Sequence, residues 1–590
     1  MFRFLFATSS ILVSFICLWP VVRRAFRDGP LARAGVLATT FGFSAGVLSL
    51  YMLALGLLPG EWLRPALVLP LPWLLFGFGI WRTKNSIPPT GGRRHSLTFW
   101  LTLICLTGMA VIAINTVSYP FYRYDVLARF APNARLLFDS GSVPANLTGY
   151  PLGVQMLYTF AFMAYGAVND HLAGLVVAAF SGAMLLTTFA VGRVAFSRRA
   201  GWAAVFLLLS SRLYVDWSTS GYVDVPVGVY HGLTFLCAFI WLQSGERRWA
   251  LWAGAMAGLA LWTKQSALVL LPALAVAPLL RTHSLRGLRL ELSNGLIALS
   301  AALLLAGPWY LRNLLLTGPA GVLPAPGAYD AQFIDRSFSA LTTFVSAAAE
   351  WGPWLSAGAM LGIVLWATHF WKPELDDASR RPIDRRRRAW LLAAFIIPYH
   401  LIWWRGFSYQ PRYLLASAPL YAALAGHSVD WLLMRFSALA RAPRWAVLVA
   451  ASVLVLSGAW ASGRLGAVYH LAVHPLQSDD GKLSRLSRDS WSLVKHIRAT
   501  IEPGASIYAM DGALAYWLHA YDFRQGYPFA LADLKDFDYF ITAAAGESVY
   551  RFYDAHKNEV LRALGDAETL PEIYRHNETV VVYHVGPVEP

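Results

Sequence analysis

From Val225 to Gly245 no residue carries a charge. Few folds accommodate such a run. Wound as a helix at 1.5 Å per residue, about 20 apolar residues cross the ~30 Å hydrocarbon layer of a bilayer. Similar runs begin near residues 4, 34, 66, 97, 171, 202, 249, 266, 291, 351, 389, 411 and 445. The chain is therefore expected to be mostly α, a polytopic membrane protein with about 14 transmembrane helices.

Composition agrees. Apolar and aromatic residues make up 57% of the 590 positions and charged residues 14%, where a soluble domain carries about 25% charged. Too few charges remain to coat several soluble globules, and the wealth of aromatic residues excludes a disordered chain. The net charge of +15 does not imply a nucleic-acid partner, because basic residues gather in the cytoplasmic loops of membrane proteins. Cys17, Cys105 and Cys237 all lie in apolar runs, so neither a disulfide framework nor a zinc spacing is present. The first run, Phe4 to Val22, lacks a clear cleavage site and is followed by Arg23 and Arg24, so it reads as a retained helix.

Lys and Arg set the orientation. With the N-terminus outside, the inner loops and helix ends hold 26 of them and the outer ones 10, the asymmetry expected of this topology. That count requires residues 150–168, YPLGVQMLYTFAFMAYGAV, to lie along or dip into the outer face without crossing. After the last span the pattern changes. ASIYAMD (505–511), FDYFITA (537–543) and TVVVYHVG read as short strands, and SWSLVKHIRATI and SVYRFYDAHKNEVLRAL as amphipathic helices. The expected organisation is a helical membrane part over 1–465 and a small extracytoplasmic α/β domain over 466–590.

The outer helix ends carry an uncommon set of polar residues: Asp125, Asp224, Lys264, Arg312, Arg405 and Arg412. Each has a plain alternative. Asp125 suits a solvated loop, Asp224 before Pro226 suits a helix N-cap, and Lys264 could snorkel. Arg312 and Arg412 could be interfacial anchors beside Trp309, Tyr310 and Tyr413. Together, on the face where charge bias would not put cations, they suggest an anionic lipid headgroup plus a general base.

The order of these pieces resembles the GT-C class of polytopic glycosyltransferases, in the branch of protein O-mannosyltransferases and aminoarabinose lipid A transferases. The matching segments are YRYDVLARFAPNARLLFDSG, GYPLGVQMLYTFAFMAYG, GYVDVP, GLALWTKQSALVLLP, GPWYLRNLLLTG and RGFSYQPRYLLASAPLYAALAG. The resemblance covers about residues 97–590, and implies additional N-terminal transmembrane helices over 1–96 and a GT-C transmembrane catalytic domain over 97–465. It implies a GT-C fold in the cytoplasmic membrane, with an outward-facing site that moves a sugar from a polyprenyl-phosphate donor to a glycan, lipid or protein acceptor. By that match Asp125 is the essential acid of the first loop, Asp224 the second-loop acid and Lys264 the residue near the carrier phosphate. Arg312, Arg412, Tyr413, Tyr124 and Tyr150 are the further substrate contacts. Many relatives have Asp-Glu in the first loop, whereas Val126 follows Asp125 here; Tyr124 and Asp139 are the nearby residues that could compensate. Some branches use a divalent metal and others do not, and the sequence shows no ligand cluster that decides it.

The inferred chemistry is a single displacement that inverts the anomeric centre, with an Asp base and fixed cations on the departing lipid phosphate. A flippase for lipid-linked oligosaccharides is the non-enzymatic alternative, although no paired halves with broken midplane helices stand out. An O-antigen polymerase or ligase is the enzymatic one. Two sequons, at Asn146 and Asn577, match a pattern common by chance. The outer domain is expected to bind acceptor or cover the cavity, with Asp511, Asp522 and Asp538 in turn and capping roles.

Overall fold

The computed structural model describes residues 2–26, 33–83, 96–281, 285–322, 334–371, 385–436, 442–526, 528, 530–542, 557–577 and 580–585. Among the residues used in the sequence reading, Arg27, Lys84, Arg93, Arg94, Lys372, Arg380, Arg381, Ser548 to His556, Glu578 and Thr579 lie outside these.

Helices occupy every one of the fourteen expected places. Among the described residues, seven are long and apolar enough to cross a membrane: Phe2–Ala25, Arg33–Gly56, Leu97–Ser118, Asp170–Ala195, Asp224–Ser244, Gly287–Thr317 and Arg444–Ala461. Three shorter apolar helices are Pro65–Trp81, Gln265–Leu280 and Pro353–Thr368. The chain is thus a multi-pass membrane protein. Asp224–Ser244 is apolar all round and buried along its whole length, as a helix at the centre of a bundle must be. Leu97–Ser118 and Arg444–Ala461 sit at the rim, with most of their side chains facing outward.

The helices before residue 96 share the same hydrophobic core as the rest. Tyr230 donates to the Gly42 carbonyl at 3.0 Å, and Trp262 Nε1 donates to Ser49 Oγ at 2.9 Å. Residues 150–168 contain one helix, Gly153–Tyr165, ended by Gly166 at φ +84°. Its 13 residues extend about 20 Å, short of the hydrocarbon thickness. All but its last residue are buried, so it is an interior helix and not one resting on an open surface.

The C-terminal region forms a five-stranded sheet in the order β2-β1-β3-β5-β4, from β1 Ser506–Ala509, β2 Asp522–Gln525, β3 Tyr539–Ile541, β4 Glu572–Arg575 and β5 Val581–His584. β1 pairs in parallel with β2 and β3, and β5 antiparallel with β3 and β4. The three strands legible in sequence are the central ones. β2 (DFRQ) and β4 (EIYR) are polar edge strands, whose mostly exposed residues carry no apolar alternation. One sheet face packs its own small core, which includes Met510, Phe537, Phe540 and Val560. The helix Arg488–Thr500 and Leu514–Trp517 join the core of the helical body.

Candidate active site

Four segments distant in sequence meet at one end of the bundle. In the first loop the helix interior cannot run on smoothly, because Pro132 has no N–H for the carbonyl four residues back. The chain widens into a π-helical turn over Val126–Phe130, a form enriched at functional sites. Val126, Leu127 and Phe130 bury one face of the turn and hold Asp125 at its start. Asp125 donates its backbone N–H to the Tyr222 hydroxyl at 2.8 Å. Its carboxylate Oδ2 accepts from Arg412 Nη2 at 2.8 Å.

The second loop reverses at Gly221, whose φ of +78° suits glycine. It then enters the helix Asp224–Ser244. Asp224 is no N-cap: Val223 holds that position, and the Asp224 carboxylate points instead to Lys264 Nζ, 2.5 Å away. Lys264 is not a snorkelling mid-helix residue either. It caps the C-terminus of the helix Arg247–Thr263 in extended conformation and is 8% exposed. A buried lysine facing one buried carboxylate is the arrangement such a charge requires.

The fourth segment is the short helix Pro411–Ser417. The Arg412 guanidinium lies 4.7 Å from the ring centres of both Trp217 and Tyr222 and 5.0 Å from that of Tyr413. The Tyr413 ring also stands 4.3 Å from Lys264 Nζ. One aromatic ring thus joins the two ion pairs. Tyr413 is held from behind by Tyr399, whose hydroxyl donates to its carbonyl at 3.0 Å.

The structure therefore brings Asp125, Asp224, Lys264, Arg412 and Tyr413 into one cluster. Tyr150 lies beside it, with the Arg129 guanidinium 5.3 Å from its ring. Tyr124 turns toward Asp511 and Gln525 of the C-terminal region. Burial, then the carboxylates of Asp511 and Asp125, push its pKa up to about 12, so it keeps its proton. Asp139 is spent on Arg135 at 3.4 Å and does not join the site. Arg312 makes none of its hydrogen bonds with the cluster. It donates to the carbonyls of Leu147 at 2.9 Å and Pro144 at 2.8 Å, and lines a cleft of about 690 Å³ with Leu57, Ser142, Leu315 and Leu316. Between that cleft and Lys264 runs the Gly149 carbonyl, which accepts from Gln265, Trp309 and Asn313.

Four neighbours, Asp216, Trp217, Arg123 and Arg464, were not singled out from the sequence. Asp216 accepts from Arg123 Nη2 at 2.6 Å and from Arg464, and Trp217 stands next to it. An acid between apolar residues in LYVDW, eight residues before Asp224, was the available signal. With them the site holds three carboxylates (Asp125, Asp216, Asp224) against four cations (Arg123, Lys264, Arg412, Arg464). The surplus of positive charge suits one phosphate. Among the described residues no group of three or more His, Cys, Asp or Glu could hold a metal. In the C-terminal region Asp511 accepts from the Ala513 N–H at 2.8 Å, a local turn contact, whereas Asp538 accepts from the N–H and hydroxyl of Ser506 and so ties the start of β3 to that of β1, and Asp522 is the first residue of β2.

Residues 151–311 match the profile of the dolichyl-phosphate-mannose-protein mannosyltransferase family. Among solved structures, the chain is similar to ArnT from Cupriavidus metallidurans bound to undecaprenyl phosphate. The TM-score is 0.56 at 15% identity, over 84% of this chain and 99% of that one. The archaeal oligosaccharyltransferase AglB from Archaeoglobus fulgidus, in complex with an inhibitory peptide and a dolichol-phosphate, aligns with a TM-score of 0.47 at 13% identity, over 80% of this chain and 73% of that one. No curated protein matches.

Proposed function

We propose, from the match of residues 151–311 to the dolichyl-phosphate-mannose-protein mannosyltransferase profile and from the charged cluster, that this chain takes a sugar from a polyprenyl-phosphate carrier and passes it to an acceptor outside the cytoplasmic membrane. The observation that carries this reading is the paired cluster Asp125–Arg412 and Asp224–Lys264, bridged by Tyr413. A mobile lipid phosphate at that depth meets two cations that are now neutralised only by carboxylates.

The mechanism follows from the pairing. The donor phosphate competes for Arg412 and Lys264, and Asp125 is released from its guanidinium. An acceptor hydroxyl then attacks the anomeric carbon while Asp125 takes its proton. The new carbon–oxygen bond forms as the bond to the carrier phosphate breaks, and the electron pair leaves with the phosphate. Charge grows on the leaving oxygen next to fixed cations, which stabilises the transition state more than the ground state. No general acid is required, and the anomeric centre inverts. Positioned proton transfer contributes about 10²–10⁴-fold.

In this reading Asp224 holds Lys264 charged and in place, Tyr413 and Tyr150 line the sugar subsite, and Arg312 braces the 144–149 loop. Fourteen helices cross, the N-terminus and the outer domain face outside, and Gly153–Tyr165 stays within the outer half. The outer domain receives the acceptor. Purified protein in detergent, given a radiolabelled synthetic polyprenyl-phosphate sugar and candidate glycan, lipid and peptide acceptors, tests it. Label on an acceptor with inverted anomeric configuration is the expected result. Carrier translocation in proteoliposomes without any transfer would overturn it.

A further inference from the structure

We propose that Asp216 and Trp217 are positioning residues of this site, and that they couple the seat of the outer domain to the Asp125–Arg412 pair. The proposal rests on the reading of Asp125 as the base.

One oxygen, Asp216 Oδ1, holds two guanidinium groups that come from opposite ends of the chain. Arg123 reaches it at 2.6 Å from the first loop, two residues before Asp125. Arg464 reaches it from the first residue of the helix Arg464–Val473, which leads into the outer domain after a left-handed turn at Gly463. Arg464 also donates to the Tyr122 hydroxyl at 2.7 Å, in the same loop. The linker is pinned further along its backbone. The Arg464 carbonyl accepts from Asn115 Nδ2 at 3.2 Å, and the Ala467 carbonyl from the Tyr119 hydroxyl at 3.0 Å.

The next residue carries this anchoring into the site. The Trp217 ring centre lies 5.6 Å from the Arg123 guanidinium and 4.7 Å from that of Arg412, and 5.0 Å from the Tyr222 ring. Tyr222 in turn accepts the Asp125 N–H. Trp217 therefore touches the partner of Asp125 on one hand and the support of its backbone on the other. Arg412 Nε, Arg123 Nε and Arg464 Nε are buried without a hydrogen-bond partner among the described residues. Arg123 and Arg412 are thus oriented by their ion pairs and ring neighbours, and Arg464 by its ion pair and the Tyr122 hydroxyl, and none of them by a full set of acceptors. Asp216 fixes Arg123 and Arg464, these fix the loop and Trp217, and Trp217 fixes the direction from which Arg412 meets Asp125. Without the Asp216 charge the two arginines repel each other, and the loop that carries Asp125 loses its tie to the linker.

The test is steady-state and single-turnover kinetics on the full-length protein, with thermal unfolding measured alongside. Asp216→Asn and Trp217→Leu are each expected to lower kcat by tenfold or more while donor KM stays within about twofold. Trp217→Phe keeps a flat ring and retains most of the turnover. Arg464→Ala loses turnover, and Arg464→Lys restores part of it by keeping the charge. Trp217→Leu leaves both Asp216 ion pairs intact, so the proposal stands or falls on it if Asp216→Asn does not fold. Wild-type kcat in folded Trp217→Leu protein, or Arg464→Lys no better than Arg464→Ala, overturns the coupling. Asp125→Asn in the same assay separates the two readings. If it turns over normally the base assignment has failed; if it is inactive while Trp217→Leu is normal, only the coupling has.

Discussion

Lys264 Nζ stands 2.5 Å from Asp224 Oδ1, across forty residues of chain and between the ends of two different helices. Both side chains are almost wholly buried, at 10% and 3% exposed. Breaking such a pair from one side leaves a bare charge in a poorly polarisable place, at a cost of about 3–5 kcal/mol. Asp224→Asn should therefore destabilise the protein by that order in detergent unfolding. Adding Lys264→Met to it should recover much of the loss. A double variant as unstable as the sum of the singles removes the pairing from the account.

Asp125 and Lys264 are expected to leave different kinetic signatures. Asp125→Asn keeps the shape and removes the basicity, so turnover should fall about 10²-fold or more with donor affinity nearly intact. Lys264→Ala should weaken donor binding by about 1–3 kcal/mol, the worth of one charge-assisted hydrogen bond. Normal turnover in folded Asp125→Asn protein would make Asp224 the next candidate base.

The orientation has a direct readout. In a background without Cys17, Cys105 and Cys237, a cysteine at Asp489 in the outer domain should react with an impermeant thiol reagent in intact cells. One at Glu246, between two helices at the opposite end, should react only after permeabilisation. The reverse pattern turns the molecule over and places the site inside.

Asp538 links the C-terminal sheet to pH. Hydrogen bonds from the Ser506 N–H and then its hydroxyl hold the Asp538 pKa below the usual carboxylate value. A depressed carboxylate stabilises the fold above its unfolded pKa of about 3.9 and loses that contribution as pH falls through the folded value. The group is exposed, so solvent screening limits the effect to about 1 kcal/mol or less. Hydrogen exchange in β1 and β3 of the full-length protein should be faster in Asp538→Asn at pH 6, and the difference should vanish near pH 2. A difference that grows on acidification contradicts this.

The helices Arg247–Thr263 and Leu285–Thr317 meet at Gly254, where an added Cβ would lie 2.0 Å from the Ala298 carbonyl oxygen. Gly254→Val cannot be relieved by rotating a side chain, because the obstacle is backbone. It should cost about 1–3 kcal/mol and weaken donor binding through Lys264, which ends the first of these helices. Unchanged melting and donor affinity would mean that the two helices are free to separate.

Much of the molecule is written locally. The run from Val225 to Gly245, and its counterparts along the chain, determine helices by themselves, since an apolar segment in hydrocarbon must satisfy its own backbone hydrogen bonds. The central strands β1, β3 and β5 are legible for a similar reason: buried β-branched and aromatic residues declare themselves. The candidate residues Asp125, Asp224, Lys264 and Arg412 are legible because a charge at an apolar helix end is costly without a partner. Which charge meets which is not local. Nothing in the sequence separates Arg312, which braces a loop through carbonyls, from Arg412, which faces Asp125, because both sit beside aromatics at a helix end. Asp216, on a six-residue helix, reads as an ordinary surface acid until Arg123 and Arg464 arrive from 93 and 248 residues away. The edge strands β2 and β4 are polar and exist through pairing with their neighbours. Local polarity and periodicity thus determine the helices and name the unusual charges. Their partners are decided only when packing brings distant helix ends to one depth, because electrostatic and hydrogen-bond energies depend on distance in space and not on separation along the chain.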